Sequence, residues 1–316
     1  MLPSRDRAAA QPTGDPHLKA SDFQYELPTG AIAQSAIEPR HDARLLDTRD
    51  MSDHRFLDLA DLLEPNDLLV VNETRVRAAR LHGIRRETGG SVEVLLLERG
   101  EDGTWEALIR PARRLRAGVV IDAGELEVTL LSNPSDGRVR LRLDAEDAEA
   151  AVARVGTMPL PPYFTGRLSE PDRYQTMFAA TPGSAAAPTA GLHFTEEVTA
   201  RLATRSVEVT RVDLHVSLDT FRPMTVDDIE DHEMHSEWCA IPEETANAVA
   251  TTRASGGRVV AVGTTVVRTL ESMSDGRGGV SAGERRTDLF LRPGSRFTVV
   301  DALVTNFHMP GSTLLV

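Results

Sequence analysis

Between residues 91 and 143 apolar side chains recur at every second position. Val92, Val94 and Leu96 alternate with Ser91 and Glu93, and Trp105, Ala107 and Ile109 with Glu106 and Arg110. Leu126, Val128 and Leu130 share one face, and Val139, Leu141 and Leu143 alternate with Arg138, Arg140 and Arg142. A period of two belongs to a strand with one buried side. Gly89-Gly90, Asp102-Gly103, Gly118, Ala123-Gly124 and the run from Asn133 to Gly137 separate these segments with turn residues. Short strands at that spacing predict an antiparallel barrel or sandwich.

The flanking segments follow other periods. Leu68 to Val71 is uninterrupted apolar sequence, as for a strand covered on both faces. Residues 195–205 predict a helix with Thr195 as N-cap and Glu196 and Glu197 in the first turn, where the helix dipole favours acids. A second helix is predicted over 243–254, ending before Gly256-Gly257. "RVVAVG" reads as a buried strand, "TT" as a tight loop and "VVRTLESM" as a helix, which together make an α/β unit. The expected fold class is therefore α/β. A discontinuous domain, residues 21–71 and 157–316, is interrupted by an inserted antiparallel β-domain at 72–156 and preceded by a disordered tail at 1–20.

A chain of 316 residues exceeds what one core usually serves, in keeping with two domains. No apolar run is long enough to span a bilayer, and "MLPSRDRAAAQPTGDPHLKA" lacks the apolar stretch of a secretory signal, so a cytoplasmic protein with no membrane partner is expected. The single Cys239 excludes an internal disulfide framework. Lys19 is the only lysine, which excludes a P-loop and disfavours Schiff-base chemistry. A net charge of −13 argues against a uniformly basic nucleic-acid binder. Residues 72–120 nevertheless hold ten arginines against seven acids, and Arg113, Arg114 and Arg116 make a candidate footprint for RNA phosphates. A solvated face of ordinary arginines is the alternative. With aromatics at 4 %, a stacking-based RNA module is not indicated.

Candidate chemistry gathers late in the chain. His193 sits in "AAPTAGLHFT", His215 in "DLHV", His232 and His235 in "DHEMHSE", and His308 in "TNFHMP". Each is alternatively a hydrogen-bonded structural histidine. On a helix, His232 and His235 would share a face that Glu237 could join as a metal ligand. The spacing is not H-E-x-x-H and Pro242 follows soon after, so a metal-dependent hydrolase ranks last. Gly263, Thr264 and Thr265 stand at a helix start whose free N–H groups suit a carboxylate or phosphate, with simple threonine capping as the alternative.

From about residue 22 onward, an ordered set of segments resembles a known family. It includes "DFQYELPTGAIAQ", "DLLVVNETRVRAARLHG", "LIRPARRLRAG", "MPLPPYF", "AAPTAGLHFT", "DLHVSLDTFRPM", "HEMHSEWCAIP", "GGRVVAVGTTVVRTLES" and "VDALVTNFHMPGSTLL". The chain resembles the S-adenosylmethionine:tRNA ribosyltransferase-isomerases of queuosine biosynthesis. The resemblance implies an α/β domain with an inserted β-barrel. It also implies transfer of the ribosyl part of S-adenosylmethionine to 7-aminomethyl-7-deazaguanine in tRNA, giving epoxyqueuosine and releasing adenine and methionine.

No metal or other cofactor is implied; S-adenosylmethionine is a co-substrate and tRNA the partner. His193, His215, His232, Glu233, His235 and His308 are expected around the reacting centre. Asn72, Thr74, Arg75, Thr189, Gly191, Thr220, Thr264, Thr265, Arg268 and Asn306 are expected at the substrates, and Arg113, Arg114 and Arg116 on the tRNA. The resemblance further implies a helix and a closing strand beyond "STLL". Ser217 and Asp219 in "SLDTF" stand where the family pattern has glycines. Those departures set the alternative, a divergent paralogue that binds S-adenosylmethionine or RNA with little turnover. Oligomeric state is not legible in the sequence.

Overall fold

Two apolar runs make the centre of the structure. Leu68–Asn72 (β3) and Val259–Val262 (β14) are buried along their whole length and lie side by side in parallel. The computed structural model describes residues 18–28, 30–161, 163–164, 170–217 and 224–316. In chain order, a hairpin of Arg44–Asp47 (β1) and Ser52–Arg55 (β2) leads through a short helix, Leu59–Leu62 (α1), into β3. Thr74–Val76 (β4) then leads to six strands: Arg80–Arg85 (β5), Ser91–Arg99 (β6), Trp105–Arg110 (β7), Val120–Ala123 (β8), Leu126–Leu130 (β9) and Arg138–Asp144 (β10). Helix Ala148–Val155 (α2) follows, and Thr181–Ser184 (β11) pairs in parallel with β4. The rest is Glu196–Thr204 (α3), Glu208–Leu214 (β12), Glu237–Ile241 (β13), Glu243–Ala254 (α4), β14, Thr264–Ser272 (α5), Gly283–Thr287 (β15) and Ala302–Val304 (β16).

The main sheet has the order β15-β13-β12-β3-β14-β16. β12, β3, β14 and β16 are parallel, and β13 and β15 join antiparallel. Helices cover both faces, which is why the central strands are apolar throughout rather than alternating. Leu68, Val70 and Val212 pack with Val249 of α4 and Val266 and Leu270 of α5. Leu69, Val71 and Val260 pack with Phe56, Phe194 and with Val198 and Leu202 of α3. Thr195 caps α3 as its sequence predicts, accepting the Val198 N–H at 3.5 Å. α4 covers residues 243–254, the predicted span.

β5 to β10 close into an antiparallel barrel in the order β10-β7-β6-β5-β8-β9. The period-two reading holds along β7, β9 and β10, while in β6 Leu95 is buried between Val94 and Leu96 just before a register shift. Val139, Leu141 and Leu143 point into the barrel core with Trp105, Ile109 and Val128, while Arg140 and Arg142 stay exposed. Closure removes the edge strands that an open sandwich would leave. Thr157 bridges back to Arg80 where the chain leaves the barrel region. Of the expected tail, residues 1–17 lie outside the described residues, and Lys19 forms a bridge with Asp228. Among the described residues no helix is long and apolar enough to cross a membrane.

Candidate active site

In an open α/β sheet, ligands bind beyond the carboxyl ends of the parallel strands. Here the segments following β14 and β16 make a cleft of about 390 Å³ at that position. Gly263, Thr264 and Thr265 line it at the start of α5, Thr305, Asn306 and His308 after β16, and Thr189 in the turn at 189–193. Tyr25 lines it from the N-terminal segment, its hydroxyl donating to the His308 carbonyl at 2.5 Å. Gly263 has φ = 89°, which side chains avoid, and an added Cβ would meet Thr265 Oγ1 at 3.7 Å and Ala190 Cβ at 3.8 Å. No side chain caps α5, so threonine capping is not the role of Thr264 and Thr265.

One histidine lines this cleft and a second stands behind it. His308 Nε2 lies 3.4 Å from Thr305 Oγ1, and burial pushes its imidazole below the ordinary 6.5, with a backbone hydrogen bond at Leu314 acting the other way. His193 stands behind Asn306, Nε2 3.4 Å from the amide nitrogen, with its ring 5.3 Å from that of Phe56. Burial likewise lowers its pKa, partly offset by a backbone hydrogen bond at Arg40. Asn306 Oδ1 is buried without a hydrogen-bond partner. Gly191 is buried in the same turn, where a Cβ would come within 3.0 Å of Thr176. Asn72 ends β3. It accepts from the Thr74 and Leu214 N–H groups and reaches Thr265 Oγ1 at 3.4 Å, tying the strand ends to the start of α5.

His215 and His235 line a second cleft of about 480 Å³ between the barrel and the sheet. His215 packs against Trp238 with ring centroids 4.4 Å apart and planes tilted by 39°, and His235 Nε2 is 3.2 Å from Glu237. Val216 lines both clefts. The six proposed catalytic residues are thus divided between two adjoining spaces and their surroundings. Residues 232–236 form no helix, because Glu237 already pairs with Thr287 as the first residue of β13. The shared face for His232 and His235 therefore does not form. His232 packs edge-on to Phe290 at 5.4 Å, its pKa lowered by burial and then by His235, and Glu233 is exposed. Among the described residues no group of three His, Cys, Asp or Glu side chains is placed to hold a metal ion.

Of the other expected substrate residues, Thr74, Arg75 and Arg268 lie apart from the first cleft. Thr74 is buried against Ser184 Oγ at 2.7 Å, and Arg75 is exposed, 3.7 Å from Asp172. Arg268 is buried beneath the second cleft. It donates to Glu237, to the His235 carbonyl at 2.6 Å, and to the Leu289 and Thr287 carbonyls at 3.0 Å each. Thr220 and Asp219 lie outside the described residues. Arg113, Arg114 and Arg116 are exposed on the loop between β7 and β8, anchored by Leu115 in the barrel core. Sequence reasoning missed Tyr25, Asp213 and Trp238. Trp238 carried a usable signal, being one of two tryptophans and adjacent to the "HEMHSE" cluster.

Residues 20–316 match the family described as queuosine biosynthesis protein. Three curated relatives carry the name S-adenosylmethionine:tRNA ribosyltransferase-isomerase. That of Symbiobacterium thermophilum is 51 % identical over 94 % of this chain and 89 % of its own length. That of Moorella thermoacetica is 47 % identical over 94 % and 90 %, and that of Maricaulis maris 48 % over 94 % and 89 %. A crystal structure of the S-adenosylmethionine tRNA ribosyltransferase of Thermotoga maritima, 35 % identical, aligns over 93 % of this chain and 87 % of that one with a TM-score of 0.48. With one family spanning residues 20–316 and identities near one half over almost the whole length, the chain belongs to the queuosine biosynthesis family of S-adenosylmethionine:tRNA ribosyltransferase-isomerases.

Proposed function

We propose that the protein transfers and isomerises the ribosyl moiety of S-adenosylmethionine onto 7-aminomethyl-7-deazaguanine in tRNA, releasing adenine and methionine and leaving epoxyqueuosine. The observation that carries this reading is the 47–51 % identity to enzymes of that name over 94 % of the chain. The first cleft agrees with what the chemistry demands. A sulfonium acidifies the neighbouring C5′ protons, so a neutral base near pH 7 suffices to remove one. His308 and His193 are kept neutral by burial, at the cleft and one amide behind it. The uncapped start of α5 suits the methionine carboxylate. No carboxylate is among the described residues lining the cleft, so hydroxyl and carbonyl oxygens receive the sulfonium there.

On this reading residues 21–71 and 157–316 form the catalytic domain and 72–156 an inserted domain that holds tRNA through Arg113, Arg114 and Arg116. S-adenosylmethionine is a co-substrate, no metal takes part, and the reaction runs in the cytoplasm. The test is nucleoside analysis of precursor-bearing tRNA after incubation with protein and S-adenosylmethionine. Epoxyqueuosine is expected; recovery of the precursor nucleoside alone refutes the reading.

A further inference from the structure

The second cleft has a wall and a floor that mark it as a built site. Val216 separates it from the first cleft, and its carbonyl accepts the Ala185 N–H at 2.9 Å, so the wall is one valine and a stretch of alanines. The floor is the ring of His215, packed against Gly183 and, with planes tilted by 39°, against Trp238. At Gly183 a Cβ would fall 2.2 Å from Nε2, and the Trp238 indole lies 4.4 Å away between ring centroids. Behind it Asp213 Oδ2 lies 3.6 Å from Nε2. Asp213 is 5 % exposed, and neither its Oδ1 nor His215 Nε2 has a hydrogen-bond partner, so a buried carboxylate and an imidazole nitrogen stand side by side beneath the cleft. Arg77, Arg138 and Arg286 stand on the rim, each held by a carboxylate, Arg77 by Glu149 at 3.7 Å, Arg138 by Glu106 at 3.6 Å and Arg286 by Glu98 at 2.5 Å, from which a phosphate would draw them.

The Trp238 indole, lining the cleft with guanidinium groups on its rim, makes a stacking platform for one splayed-out base and its phosphates. A base that undergoes chemistry must leave its stack to reach such a site, and one indole is enough for one base. The volume, about 480 Å³, falls within the roughly 300–1,000 Å³ that encloses small ligands. The geometry points to the barrel side of Val216 as the subsite for the acceptor nucleotide of the tRNA, with Trp238 as its stacking face. The assignment rests on the function proposed above: S-adenosylmethionine occupies the other cleft, and donor and acceptor meet at Val216.

The chain has two tryptophans, and Trp105 is sealed in the barrel core at 1 % exposure, so fluorescence reads the cleft. An anticodon stem-loop RNA carrying 7-aminomethyl-7-deazaguanine at the wobble position is titrated into the protein. Saturable quenching is expected, absent in Trp238→Phe and absent with S-adenosylmethionine alone. Ser236 is exposed at the same cleft, so Ser236→Phe fills it without disturbing the core. Its KM for RNA should rise about tenfold, the scale of one lost base stack, with KM for S-adenosylmethionine held within about twofold. RNA that binds by anisotropy without quenching Trp238, or a Ser236→Phe effect on S-adenosylmethionine instead of RNA, overturns the assignment. RNA that does not bind at all overturns it together with the reading of tRNA as substrate. Quenching needs no turnover, so a wild type that quenches but releases no adenine fails the reaction alone.

Discussion

Arg268→Met separates a ligand residue from a buried strut. The Arg268 guanidinium is 9 % exposed and its partner Glu237 3 %, and the other three acceptors are main-chain carbonyls of residues 235, 287 and 289. Methionine keeps much of the volume but removes every donor. Glu237 then remains as a buried carboxylate beside a histidine, with the Ser217 N–H still donating to it at 2.7 Å. Breaking a buried ion pair from one side costs about 3–5 kcal/mol, out of a total stability of about 5–15 kcal/mol. In a chain of this size that lowers the melting temperature by roughly 10 °C. Scanning calorimetry of wild type, Arg268→Met and Arg268→Met/Glu237→Gln reads it directly. The double variant removes the stranded charge and should recover much of the loss. A single variant that melts within about 2 °C of wild type yet no longer binds S-adenosylmethionine by calorimetric titration would refute the strut and make Arg268 a ligand residue.

His193→Gln and His308→Gln should keep the fold and lower kcat by at least about a hundredfold if either imidazole moves the proton, and a rate unchanged in both removes them from the chemistry. Burial holds His193, His232 and His308 below their ordinary 6.5, so the unfolded chain takes up protons first and stability should fall as pH drops from about 6.5 to 5. Urea midpoints that stay flat or rise across that window contradict the burial argument. Gly263→Val places a branched side chain at φ = 89° beside Thr265 and should raise KM for S-adenosylmethionine by about tenfold or more, measured against an unchanged affinity for tRNA. Replacing Arg113, Arg114 and Arg116 with Ala should weaken tRNA binding and flatten its dependence on salt; identical binding isotherms at several salt concentrations exclude the loop.

Where burial alone dictated the pattern, the sequence was readable. The barrel strands β7, β9, β10 and the start of β6 alternate because one face is inside, and β3 and β14 are uniformly apolar because helices lie on both sides. β5 and β15 were not readable. β5 sets one core side chain, Leu81, among Arg80, His82 and Arg85, and Arg285 and Arg286 sit in β15, so main-chain pairing more than an apolar face defines these strands. The site shows the same division. Thr189, Thr264, Thr265, Asn306 and His308 meet in one cleft because each follows a strand end or opens a helix, a position that local motifs reveal. His232 and His235 part company because β13 begins at Glu237, a pairing with residues 50 positions later that no local spacing encodes. The packing of His215 against Gly183 and Trp238 is equally non-local.

Single-turnover stoichiometry shows whether adenine release and tRNA modification are one reaction of this protein. Protein in excess is mixed with radiolabelled S-adenosylmethionine and tRNA bearing 7-aminomethyl-7-deazaguanine, and adenine, methionine and modified nucleoside are counted from one quench. The three should appear in equal amounts, and none should appear when tRNA lacking the precursor base is used. Adenine released without tRNA, or bound S-adenosylmethionine with no adenine and no modified nucleoside, would contradict a single coupled reaction.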